Sequence, residues 1–179
     1  MRDLAQKWTA MPDWHEAVIA VPGLTVRTRS GLEQYLVSGD LVAWSEVSGL
    51  ADRGVGAFGT AEDDRYTVRL GRDRLLAVST APFDIATGWH EEGFGVTATS
   101  AGLHVFEIEG PAGAELISRA TPVDPGAASA SASLVFGGVG VIAYHHQGTL
   151  RLHVERGLAT YLWTWLKTAA RQPALSGQG

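Results

Sequence analysis

The chain has 179 residues, 45% apolar and 18% charged, which suits one globular body or two small lobes sharing a core and excludes a disordered chain. Its net charge of −5 contains no basic block, which argues against nucleic acid as a partner. Cysteine is absent, which excludes disulfides, a thiol nucleophile and thiolate-held metal; no apolar run reaches the ~18–20 residues that span a bilayer, and the first residues lack a secretory apolar core, so a cytoplasmic chain with no membrane partner is expected.

In chain order, residues 1–23 read as an N-terminal arm. Trp8, Met11, Trp14 and Val18 fall at helical spacing, with Pro12 awkward inside such a helix. A first α+β lobe is expected over 24–93. Its strands are 24–28, 34–38, 66–70 and 75–79, and Gly71–Arg74 forms the hairpin turn. Helices are expected over 40–47 and 82–90, the second capped by Ser79 and Thr80 with Pro82 in its first turn. The glycines of 49–59 lack the Gly-Lys-Ser/Thr of a phosphate loop and read as a flexible surface loop.

The second lobe is expected over 94–170, followed by a frayed tail, 171–179. A strand ends at Gly110, and Pro111 opens a helix with Gly113, Leu116, Ile117 and Ala120 on one face. Strands 134–136, 139–145 and 150–155 follow. The last turns into a helix whose stripe is Leu158, Tyr161, Leu162, Trp165 and Leu166. The two lobes resemble each other: residues 32–39 align with 103–110 at an offset of 71, 76–78 with 152–154, and Trp89 with Trp165. Each reads strand-helix-strand-strand-helix.

No active site assembles from these residues. Adjacent strand positions put His145 and His146 on opposite faces, and with His153 they make no recognised metal-ligand spacing. Asp63–Asp64 lies beside Arg65 in a polar turn, Asp124 reads as a turn brace, and no Gly-x-Ser-x-Gly is present. No catalytic, cofactor-binding or metal residue is therefore expected on the chain.

Three stretches, in order, resemble one family. Val154-Glu-Arg-Gly-Leu-Ala-Thr-Tyr-Leu-Trp-Thr-Trp-Leu166 is similar to the C-terminal signature of the gamma subunit of heterotetrameric sarcosine oxidase. Leu70-Gly-Arg-Asp-Arg-Leu-Leu76 resembles that family's hairpin, and Ile108–Ile117 with Thr121-Pro-Val-Asp124 resembles its central segment. Arg72 stands where the family often has Pro and Arg74 where it often has an aromatic, and the first sixty residues match poorly. The resemblance implies an aminomethyltransferase-like, folate-binding fold of two ferredoxin-like lobes. It implies a non-catalytic subunit of an oxidoreductase that oxidatively demethylates sarcosine or a related N-methyl amine. FAD, FMN, NAD and tetrahydrofolate would sit on partner subunits of alpha and beta type, with a small delta-type subunit completing the complex. The alternative is a free-standing folate or small-molecule binding module of the same fold.

Trp163 lies off the helix stripe. With Trp8 and Trp14 it is the candidate partner interface; the rival expectation is that the N-terminal arm folds back and covers it.

Overall fold

The computed structural model describes residues 10–172. Among these described residues, twelve strands form two largely antiparallel sheets, with three α-helices on their outer faces. The larger sheet runs β1 (Val18–Val21), β2 (Leu24–Thr28), β9 (Leu103–Glu109), β12 (Thr149–Glu155), β11 (Val139–His146), β10 (Ser133–Phe136). A short strand, β4 (Thr60–Ala61), adds to β11 in parallel. The smaller sheet runs β5 (Arg65–Gly71), β6 (Arg74–Ser79), β3 (Glu33–Gly39), β8 (Phe94–Ala98), β7 (Gly88–Trp89).

Alternation along the strands builds three apolar layers. Val37, Leu75, Ala77, Phe94 and Val96 point outward from the smaller sheet and meet Leu41 and Trp44 of α1 (Leu41–Ser48). Phe106, Ile108, Leu150, Leu152 and Val154 point outward from the larger sheet onto α2 (Gly113–Ala120) and α3 (Ala159–Ala169). Between the sheets lie Leu32, Tyr66, Val68, Leu76, Val78, Val105 and Tyr144. Each large apolar side chain so buried contributes on the order of 1.5–3 kcal/mol before its entropy is charged. Asp40 caps α1 by accepting from the Val42 and Ala43 amides, both at 3.0 Å, and Gly49 ends it in the left-handed region.

The α+β class and the internal repeat are both visible, with a difference in how the halves are joined. Strand order β7-β8-β3-β6-β5 in one sheet has its counterpart in β1-β2-β9-β12-β11 in the other. Hairpin β1–β2 comes early in the chain yet pairs with β9, while β7–β8 comes after the first half and pairs with β3. Each half therefore donates its hairpin to the other's sheet. The crossing points match. The Asp40 amide donates to Gly93 O and the Ala112 amide to Gly23 O, both at 3.0 Å. Likewise Thr99 N donates to Gln34 O as Arg29 N donates to Val105 O. The expected boundary at 93/94 would run through the β7–β8 hairpin, whereas the repeated strand order divides in the bend between β6 and β7.

Other expectations are corrected. The first half has no closing helix: between β6 and β8 the chain bends and then forms only β7. Pro82 at one end and Gly88, with φ +120°, at the other leave too few residues to repay helix nucleation. Phe83 fills the gap, edge-on to Tyr35. Trp89 consequently sits on a strand and has no helical counterpart to Trp165. Residues 49–59 are not a flexible surface loop. Val55 bridges to Val68, Ala57 and Phe58 are buried, and the Phe58 amide donates to Ala143 O at 3.0 Å. At the N-terminal end, β1 replaces the last turn of the expected helix.

Candidate functional site

Where the sheets face each other, one register row carries charge. Arg27, Glu107, Arg151 and Tyr144 stand side by side across β2, β9, β12 and β11. The matching row of the other sheet is Thr97, Leu36, Leu76 and Val68 across β8, β3, β6 and β5. One position of the duplicated fold is thus charged in one half and apolar in the other, and the register sets Leu76 against Arg151, one residue off the expected alignment of 76–78 with 152–154, because Leu152 faces the helices instead.

From the charged row a chain of hydrogen bonds runs through the interior. Arg151 donates from Nε and Nη2 to Glu107 Oε1 at 3.0 and 2.9 Å, and from Nη1 to the Tyr66 hydroxyl at 2.7 Å. Tyr66 and Tyr144 share a hydroxyl contact of 2.7 Å, Tyr144 lies 2.7 Å from His153 Nε2, and His153 Nδ1 lies 2.6 Å from Gln34 Oε1. Only one direction leaves every hydrogen donated: Arg151 to Tyr66, Tyr66 to Tyr144, Tyr144 to His153, His153 to Gln34. The reverse tautomer would give Tyr66 two donors and leave its own hydrogen without an acceptor.

Burial and the nearby Arg151 guanidinium hold the His153 imidazole down to about 3, so the ring is neutral, as this direction requires. Burial raises the Tyr66 hydroxyl and raises Tyr144 well above the ordinary phenol value, which keeps both protonated. Around Glu107 two further guanidiniums gather, Arg29 Nε at 3.9 Å and Arg27 Nε at 3.7 Å, the latter side chain also pairing with Glu109 at 2.5 Å. Desolvation roughly offsets the attraction within a buried ion pair, so the row by itself adds little net stability.

Gln34 also borders a cleft of about 480 Å³, with Trp14, Thr28, Arg29, Ser100 and Arg156 around it. His104 lies beneath Trp14, the ring centroids 4.4 Å apart, and its Nε2 is 3.1 Å from Thr28 Oγ1. Burial, with Arg156 nearby, pulls His104 down to about 4. Of its two guanidiniums, Arg29 stands 3.9 Å from Glu107 Oε1, and Ser100 in the wall donates to Glu33 Oε2 at 3.4 Å. Neither cleft nor buried chain pairs a nucleophile with a base that a substrate could reach.

The histidines do not converge. His145 Nδ1 meets Phe58 O and His146 Nε2 meets Asp63 O, both at 3.0 Å, while His153 is committed to the buried chain. Among the described residues no group of three or more histidines, aspartates and glutamates could hold a metal. Asp124 accepts from the Gly126 amide at 2.8 Å, the turn role expected of it.

Trp163 and Trp14 do come together, but inside the chain. Trp163 is 8% exposed, stacks on Phe106 with centroids 5.6 Å apart, and meets Trp14 edge-on at 5.9 Å. The fold-back alternative describes this packing; Trp8 lies outside the described residues. The stripe of α3 is correspondingly rotated. Ala159, Leu162, Trp163, Leu166 and Ala169 are buried, whereas Leu158 and Tyr161 are exposed.

Sequence reasoning missed Gln34, Tyr66, Glu107 and Arg151. Charged residues alternating with Leu150, Leu152 and Val154 read as a solvent face, and they face the second sheet instead. The available signal was that polar residues at matching positions of several strands are complementary, Glu against Arg.

No family model matches this sequence, and no curated protein does. Among solved structures, the fold is similar to that of a chain in heterotetrameric sarcosine oxidase from Corynebacterium sp. U-96 in complex with pyrrole 2-carboxylate. The TM-score is 0.67 at 17% identity, over 82% of this chain and 83% of that one. The two chains therefore share a fold along most of both lengths. No helix among the described residues is long and apolar enough to cross a membrane.

Proposed function

We propose that this chain is a gamma-type, non-catalytic subunit of a hetero-oligomeric, sarcosine oxidase-like oxidoreductase. One observation carries the reading: a fold shared over 82% of this chain with most of one chain of such a heterotetramer. The near-equal coverage supports a small subunit of similar length rather than a piece of a large catalytic one. The C-terminal Tyr161-Leu-Trp-Thr-Trp-Leu166 stretch supports it further. In this reading the flavins, NAD and tetrahydrofolate belong to larger alpha- and beta-type subunits. The N-methyl group is oxidised there, and this chain supplies structure and contact surface.

The test is purification through a tag on this chain from cells that make its natural partners. The expected preparation contains larger flavoproteins, shows flavin absorbance, and consumes sarcosine or another N-methyl amine with release of peroxide, while the chain expressed alone does neither. A chain recovered alone from those cells overturns the reading. The cleft beside Gln34 then favours the free-standing small-molecule binder, which saturable folate binding would show.

A further inference from the structure

Strand β1 forms one edge of the larger sheet, and among the described residues no strand pairs with its outer side. Which groups it leaves free follows from the ladder. The amide of Arg29, one residue past β2, donates to Val105 O. Arg27 and Thr25 therefore also turn their main-chain groups towards β9, while Val26 and Leu24 turn theirs towards β1. Their partners on β1 are Ile19 and Val21. The outward amides and carbonyls belong to Val18 and Ala20, and both residues are exposed. Val18-Ile-Ala-Val21 has no lysine, proline or bulge, the devices that usually close an edge.

Beside this edge runs a groove of about 470 Å³ between β1 and α3, and its charges are sorted by end. Asp13 and Glu16 come just before β1. α3 runs alongside from Trp163, which meets Trp14, to Ala169 and Gln172, which border Val21 and Pro22. Lys167 and Arg171 follow Trp163 at steps of four residues on one helix face, so they stand towards the end of β1. Among the described residues none of these four charges is in an ion pair, whereas the nearby Arg27–Glu109 and Arg119–Glu115 pairs are satisfied. The groove is thus acidic at one end of β1 and basic at the other.

We propose that a second copy of this chain occupies this edge, its β1 antiparallel to the first about a twofold axis at Ile19. With Val18 set against Ala20 of the other copy, each outward amide donates to an outward carbonyl across the axis, and the two larger sheets become one. The same axis brings Asp13 and Glu16 of each copy to Lys167 and Arg171 of the other. A parallel neighbour would set like charges together, so charge selects the antiparallel arrangement. A second copy already carries both the free main-chain groups and the reversed order of charge, and neither feature depends on the subunit reading above.

The experiment is sedimentation equilibrium of the full chain over a concentration series, with hydrogen exchange at Val18 and Ala20. Expected is a dimer in which both amides exchange more slowly than in dilute solution. Ala20→Pro removes an amide that the monomer does not use and should weaken the dimer about 30-fold. Glu16→Lys and Lys167→Glu should each weaken it about 5-fold. Their equimolar mixture should associate more tightly than either alone, because one contact then sets two acids against two bases. In dilute solution, where the parent is also monomeric, all three variants should melt within about 2 °C of it. A chain that stays monomeric at every concentration overturns the proposal, and protection of Val18 and Ala20 only in a complex with flavoproteins would then give the edge to a partner subunit. A dimer that tolerates Ala20→Pro overturns this edge. A dimer lost with Ala20→Pro but not recovered in the mixture overturns the antiparallel pairing.

Discussion

His153 is 1% exposed and its two ring nitrogens are already committed, one as donor and one as acceptor. A second proton would cost it the bond from Tyr144, and burial holds its pKa to about 3 while His104 is held to about 4. An unfolded histidine titrates near 6.5, so between these limits the unfolded chain binds protons that the native one refuses. Stability contributed by these groups is complete above about pH 6.5 and falls as the solution is acidified towards about 4, by up to about 2.7 kcal/mol per pH unit for two protons. Urea unfolding at pH 7.5, 6 and 5 checks this; equal midpoints at all three would refute it. Glu107 makes a second residue-scale prediction. Glu107→Gln leaves the buried Arg151 guanidinium without its counter-charge and should destabilise by about 3–5 kcal/mol. The double variant Glu107→Leu, Arg151→Leu copies Leu36 and Leu76 of the twin row and should recover most of that loss. Chemical denaturation of the single and double variants separates the cost of an orphaned charge from the worth of the pair.

At the scale of elements, two glycines hold the hairpin exchange. Gly39 and Gly110 have φ of +106° and +113°, and a Cβ on either would overlap the carbonyl oxygen of the crossing strand, Gly93 in one case and Gly23 in the other. Gly39→Ala and Gly110→Ala should each cost more than about 2 kcal/mol, because backbone strain and overlap act together. Gly31→Ala, with φ +75° but open space around it, should cost about 1 kcal/mol, and thermal unfolding of the three ranks them. The α3 face gives a related test. Trp163→Ala should destabilise by about 3–5 kcal/mol, the cost of a core aromatic, since Trp163 rather than Leu158 or Tyr161 faces the sheet. The strand-period segments, the α1 segment without its Asp40 cap, and the 71-residue repeat were legible because local pattern determines them. The rotation of α3 was not, because Tyr161, with its hydroxyl on Gly137 O at 3.1 Å, is apolar by type yet half in solvent. Nor was the hairpin exchange. Alternation says which face a strand buries but not which strand lies beside it. The buried chain from Arg151 to Gln34 was hidden for the same reason.

For the molecule as a whole, neither half can complete a sheet by itself. Cutting the backbone in the bend between β6 and β7 should give two fragments that fail to unfold cooperatively alone but do so as a one-to-one mixture; circular dichroism during titration of one into the other reads this out. Independent cooperative folding of either fragment would refute the exchange as a structural requirement. The same exchange sets an order of events during synthesis. Strand β2 ends at Thr28, and its partner β9 begins at Leu103. At a translation speed of about 5–20 residues per second, β2 waits about 4–15 s for the strand it must join. Throughout that interval the β1–β2 hairpin has a free inner edge, the kind of edge that recruits strands from other chains. The nascent chain is therefore exposed to mispairing with its neighbours on the same messenger, and slower translation ahead of residue 103 should lower its yield rather than raise it.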